Sequence, residues 1–137
     1  HTRQMFQTAK RILENEGATR MAEYLLPFLS GSFYLRKNKK TQSAMAKAIA
    51  KRNRKESLLA QLAAMQTYPD VSANEFSFKI PMLVISGAED RLIDDTAIEH
   101  LAKYLEAERE RIQDAGHSIP LEAPNIFNRI ILRFIAS

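Results

Sequence analysis

Apolar residues recur at helical spacing through the first half of the chain and then give way to a short continuous run. Met5, Phe6, Ala9, Ile12 and Leu13 fall three and four apart, which predicts a helix over 3–15 with Gly17 as its stop. Met21, Ala22, Leu25 and Leu26 predict a second helix, opened by Ala18 or Thr19 and ended by Pro27 and Ser30-Gly31-Ser32. Residues 33–40 read as a connector. Thr41 is a candidate N-cap for a helix through Arg52, with Ala44, Met45, Ala48 and Ile49 inward. A fourth helix over about 55–67 carries Leu58, Leu59, Leu62, Ala63 and Met65, and Tyr68-Pro69-Asp70 breaks it before a loop over 70–79.

The period then changes. Met82 to Ile85 is apolar throughout and bounded by Pro81 and Gly87, the pattern of a strand covered on both faces in a parallel sheet. Ile98, Leu101, Ala102 and Leu105 predict a helix over 95–105, with Asp94 or Asp95 as its cap. Arg109 to Gln113 predicts a second, more polar strand at a sheet edge. Pro124 fits the first turn of a last helix with Phe127, Ile130, Ile131 and Phe134 as its apolar stripe. Strand, helix, strand and helix make one parallel crossover unit. The fold class is α/β: a helical segment over 1–79 and a two-stranded β-α-β-α unit over 80–137.

Charge divides the chain at the same place. Residues 1–79 carry 14 Lys and Arg against 6 Asp and Glu, whereas 80–137 carry 6 against 10. Nine of the cations lie between Arg36 and Lys55 with no acidic residue among them. Such a stretch suits the solvated face of a helix, or a docking surface for an acidic partner, an anionic thioester or an acidic membrane. It lacks interleaved aromatics and a nucleic-acid-binding motif, so nucleic acid is the weakest of the candidates. No apolar run approaches the ~20 residues of a membrane span. No cysteine is present, which excludes disulfides and thiolate metal sites and is compatible with a reducing cytoplasm. The chain begins at His1 in what already reads as helix, the expectation for a truncated or processed protein.

Two short motifs carry the chemistry. Gly87-Ala88-Glu89-Asp90 follows the first strand, and Ala115-Gly116-His117-Ser118 follows the second. A carboxylate and an imidazole on loops leaving neighbouring parallel strands can meet, and an Asp that accepts from a His N–H fixes its tautomer and stabilises the imidazolium. Each also has an ordinary reading: Asp90 as a turn cap, His117 as a loop histidine. His100 reads as a helix-surface residue and His1 as a free terminus. Ser118 adjoins His117 and Ser86 ends the strand; neither is placed as a nucleophile.

Together, Ile80-Pro-Met-Leu-Val-Ile-Ser-Gly-Ala-Glu-Asp90 and Ala115-Gly-His117-Ser-Ile-Pro-Leu-Glu122-Ala-Pro124 with Phe127 resemble the acid loop, His loop and final helix of α/β-hydrolases. The resemblance covers 80–137, and the helices of 1–79 resemble the cap that many members insert ahead of this strand. It implies Asp90 as the acid and His117 as the base of a Ser-Asp-His triad, an acyl or ester substrate, and no cofactor or metal. The chain departs from the pattern in two ways. Asp94 stands where members often have Pro. No Gly-x-Ser-x-Gly occurs, because the only glycines are Gly17, Gly31, Gly87 and Gly116. The resemblance therefore implies the C-terminal part of a serine hydrolase acting on an ester, thioester, lactone or related carbonyl compound. A non-catalytic interaction module is the alternative. Either way, a missing N-terminal half or self-association is expected to cover the open strand.

Overall fold

The computed structural model describes residues 2–67 and 80–137. They divide into two compact units, one of 2–26 and 38–67, the other of 27–37 and 80–137. Pro27–Lys37, placed with the helical segment by sequence, therefore packs with the C-terminal unit.

In the first unit, α1 (Thr2–Glu16) buries Met5, Ala9 and Leu13, which repeat every four residues down one face. That face meets α5 (Lys55–Thr67), which buries Leu58 and Leu62. Gly17 takes φ +90 and closes α1, its N–H reaching the Ile12 carbonyl at 3.1 Å. Lys55 Nζ donates to the Glu14 carbonyl at 3.2 Å, a cation at the negative end of α1. α2 (Ala18–Leu29) buries Met21, Ala22, Leu25 and Leu26. Ala22 and Leu26 form a cluster with Ala46 of α4 (Gln42–Arg52), bordered by Met45 and Ile49.

Several details depart from the sequence pattern. Pro27 lies inside α2 rather than ending it, near enough to the C-terminus for the helix to survive one lost donor. The predicted connector is helical: α3 (Ser32–Lys37) and a 3-10 turn at Lys39–Thr41. α4 turns Ala46 inward and leaves Ala44 and Ala48 exposed. Thr41 precedes α4 but its hydroxyl bonds the Asn38 carbonyl instead of capping. On α5, Met65 is exposed. The expected break at Tyr68-Pro69-Asp70 and the loop over 70–79 lie outside the described residues, as does His1.

In the second unit, β1 (Leu83–Gly87) and β2 (Glu108–Ile112) pair in parallel, with Leu83 opposite Glu108 and Gly87 opposite Ile112. α6 (Asp95–Tyr104) connects them, capped by Asp94, whose Oδ1 accepts from Thr96 N at 3.4 Å. The polar character of β2 has a specific origin. Alternate residues face opposite sides of a sheet. Arg109 and Arg111 both reach Asp95 of α6, at 2.5 and 3.2 Å, while Glu110 pairs with Arg133 of α8 (Pro124–Ala136). Ion pairs thus join the strand to a helix on each side. The core beneath α8 is Ile112, Ala115, Ile119 and Ile130, with Leu83, Ile85, Ala123 and Phe127 against it. α7 (Ile119–Glu122) is a single turn that the sequence pattern does not reveal.

Among the described residues the sheet has two strands only, so β1 has no partner on its other side. Leu132 and Ile135 of α8 are 68% and 75% exposed. No described helix is long and apolar enough to cross a membrane. An unpaired apolar strand edge is a template for another chain. Sedimentation velocity at micromolar concentration is therefore expected to show species heavier than the 15.6 kDa chain. A lone monomer with one cooperative urea transition would overturn this expectation.

Candidate active site

The site is built where β1 and β2 end side by side. Beyond Gly87 the chain turns at once: Asp90 N bonds back to the Gly87 carbonyl at 3.2 Å. The turn is tied to the other loop by Ala88 N to the Ile112 carbonyl and Glu89 N to the Ala115 carbonyl, both at 2.8 Å. The backbones lie so close that a Cβ on Gly87 would stand 2.1 Å from the Gly116 carbonyl oxygen. Only glycine permits that approach.

Asp90 is nearly buried, with both oxygens in use. Oδ1 accepts from Leu92 N at 2.8 Å and Ile93 N at 3.1 Å. Oδ2 lies 3.0 Å from His117 Nδ1, and the two side chains are 8% and 40% exposed. An ionised carboxylate only accepts, so a hydrogen bond between them calls for the hydrogen on Nδ1. Nε2 has no partner among the described residues. Asp90 thus caps its own turn with one oxygen and meets His117 with the other.

A third segment joins the two loops. Ser118 N and Ser118 Oγ both donate to the Leu29 carbonyl, at 3.1 and 2.7 Å. Glu89 accepts from Phe33 N at 2.9 Å and from Ser32 Oγ at 3.0 Å. Glu122 accepts from Gly31 N at 2.8 Å, Gly116 N at 2.9 Å and Ser118 N at 3.0 Å. A Cβ on Gly116 would lie 2.2 Å from Gly31 N. Residues 29–33 are therefore seated directly on the acid and His loops. Glu89 and Glu122 carry these links, and the sequence motifs contain both without revealing their task. The available signal was that Glu122 is the only carboxylate after Asp114.

The remaining candidates are separated from the pair. The Ser118 hydroxyl is committed to Leu29, and Ser86 is buried in β1, its hydroxyl without a partner among the described residues. His100 is exposed on α6. Asp94 acts as the helix cap. No described group of three or more His, Cys, Asp or Glu residues is arranged to hold a metal. A cavity of about 590 Å³ lies beside β2 and α8, bordered by Phe33, Ile112, Asp114, Ala123, Ile126 and Ile130, but neither Asp90 nor His117 lines it.

A sequence model of the alpha/beta hydrolase fold matches residues 3–124. The chain belongs to that family. It is 26% identical over 139 residues to a protein of Escherichia coli O81 (strain ED1a) provisionally named a carbamate hydrolase, an alignment that takes in 100% of this chain and 52% of that protein. Among solved structures it resembles MGS-M2, an alpha/beta hydrolase from a Medee basin deep-sea metagenome library, with TM-score 0.82 and 19% identity. That match covers 99% of this chain and 51% of MGS-M2. It also resembles the enol-lactonase of Burkholderia xenovorans LB400, with TM-score 0.80 and 22% identity over 96% of this chain and 50% of the enzyme. The chain spans about half the length of these three proteins. The structural matches establish the fold, an α/β-hydrolase arrangement present here in part.

Two outcomes are expected from this geometry. Gly116→Ala drives a methyl into the backbone of Ser30 and Gly31, which cannot swing aside. It should cost about 1–3 kcal/mol in urea unfolding, the range for overpacking; an unchanged midpoint would refute the close approach. The Phe33 N–H bond, the largest effect, holds the Glu89 carboxyl below its ordinary 4.5; burial, the next largest, opposes it, and the Ser32 hydroxyl and the charge of Arg36 add to the lowering. A depressed folded-state value means that this stabilisation is present above the ordinary carboxylate range and is lost as pH falls through the folded value. Urea midpoints measured down the acid limb should fall more shallowly in Glu89→Gln than in wild type. Parallel acid limbs would show that the contacts with residues 32–33 contribute nothing.

Proposed function

We propose that this chain supplies the acid and the base of a serine hydrolase whose nucleophile lies outside the 137 residues. Its substrate would be an ester, thioester, lactone or related carbonyl compound. The single observation that carries the proposal is His117, part-exposed, with Nδ1 3.0 Å from Asp90 Oδ2 and Nε2 without a partner among the described residues. A hydroxyl brought to Nε2 would lose its proton there as its oxygen attacks the carbonyl carbon. His117 would return that proton to the leaving group, then activate water against the acyl-enzyme. Throughout, Asp90 would stabilise the imidazolium without taking the proton.

The related proteins support the substrate class by their names alone: a provisional carbamate hydrolase and an enol-lactonase both act on carbonyl groups bonded to a heteroatom leaving group. No cofactor enters this mechanism. The reading also keeps 1–79 as a cap-like segment and places the protein in the cytoplasm, where a chain without cysteine fits. Exposed lysines and arginines from Lys39 to Lys55 would dock an acidic partner or substrate group.

A second reading has its own support. The open edge of β1 and the exposed Leu132 and Ile135 suit a module that completes a partner chain without catalysing anything itself. Activity separates the two. The 137-residue chain alone should turn over no chromogenic ester and take no label from a fluorophosphonate. Labelling of any serine in it would sink the proposal. Joined to the polypeptide that bears the nucleophile, it should form a fluorophosphonate-sensitive esterase in which Asp90→Asn lowers kcat by about 10⁴-fold. Full activity in that variant would favour the interaction module.

A further inference from the structure

His117 lies on a stretch of chain that no strand or long helix supports, between the end of β2 and the single turn of α7. A base on such a loop needs its backbone fixed by something else. Gly116 and Ser118, the residues on either side of it, both donate their N–H groups to one side chain, Glu122. The same carboxylate takes a third N–H from Gly31, 91 residues earlier in the chain. We propose that Glu122 is a positioning residue for His117: it fixes the backbone from which the imidazole projects, and Asp90 then fixes the ring. The inference rests on the reading of His117 as the base.

The donor count explains why a glutamate is needed. Three N–H groups converge, two on Oε2 and one on Oε1. An ionised carboxylate has two oxygens with about four acceptor sites and nothing to donate. Glutamine keeps one acceptor oxygen and would turn its NH₂ towards an N–H, so at least one of the three donors loses its acceptor on residue 122, and only Ser118 N has a second acceptor, the Leu29 carbonyl. Aspartate is a methylene shorter. Hydrogen bonds to an ionised acceptor are also about twice as strong as neutral ones, which suits a half-buried loop. Holding the amides at 116 and 118 sets the direction of the His117 Cα–Cβ bond and leaves only the two side-chain torsions. The bond to Asp90 settles those.

A simpler role would be a clip that only fastens Gly31. The two roles differ in what happens to the imidazole. In the full ¹⁵N-labelled chain, the His117 tautomer can be read from the shifts of both ring nitrogens through the non-exchanging ring protons. Amide exchange at Gly31, Gly116 and Ser118 can be followed in the same sample. Wild type should show the Nδ1–H form. Asp90→Asn should lose that preference while the three amides stay protected.

Glu122→Gln should accelerate exchange of at least one of the three amides roughly tenfold or more, as loss of a bond to a charged acceptor implies. It should also shift His117 towards the tautomer mixture of an unrestrained imidazole. Leu13→Ala, in the core of the other unit, should lower stability without changing either reading. Glu122→Ala should give a larger effect of the same kind, and if it fails to fold, Glu122→Gln carries the test. Faster amide exchange with an unaltered tautomer would reduce Glu122 to a clip, and unaltered exchange would overturn the inference outright. A wild-type chain without the Nδ1–H preference would instead overturn the Asp90–His117 reading, and the positioning role with it.

Discussion

The second unit depends on a backbone approach that leaves no room for a side chain. Gly87 lies against the carbonyls of Ala115 and Gly116, and Gly116 lies against Gly31. Three parts of the chain, remote in sequence, therefore meet main chain to main chain. Main-chain groups brought that close must satisfy one another or find an acceptor, since an unpaired buried N–H is costly. The Ile112 and Ala115 carbonyls take the N–H groups of the acid turn, and Glu122 takes those of the His loop. The Asp–His distance follows from this seating more than from any direct attraction between the two side chains.

Parallel pairing gives the approach its direction. Because β1 and β2 run the same way in register, their loops leave one edge of the sheet together, and 27 positions of sequence separation shrink to one hydrogen bond. Ion pairs hold the polar strand in that register from both sides, through Asp95 and Arg133. This arrangement explains how β2 can be largely charged and still form part of the framework of the site.

Much of this was legible in the sequence. The continuous run ending at Gly87 and the helical stripes of α1, α6 and α8 are strong periodic signals, and the structure has those elements within a few residues of their predicted bounds. The Asp90 and His117 motifs pointed to a pair of loops that do meet. What escaped depends on distance in sequence. Nothing local in Ser30-Gly31-Ser32 announces that it rests on Gly116, so it read only as a helix terminator. Glu89 and Glu122 stood inside the motifs without a role of their own, because their partners are backbone N–H groups, which leave no trace in composition. α4 was misjudged for a different reason. Its alanines fit almost any face, so spacing could not choose Ala46 over Ala44 and Ala48.

The two oxygens of Asp90 imply an order of assembly. Oδ1 is engaged by amides only two and three residues ahead, a closure that requires almost no chain to be brought together. Oδ2 waits for an imidazole 27 positions away, and Glu122 for an amide 91 positions away. Loop-closure entropy rises along that series, so the turn around Asp90 can form while the rest of the chain is still loose. Asp90 is then a fixed point, and the histidine arrives at a carboxylate already aimed.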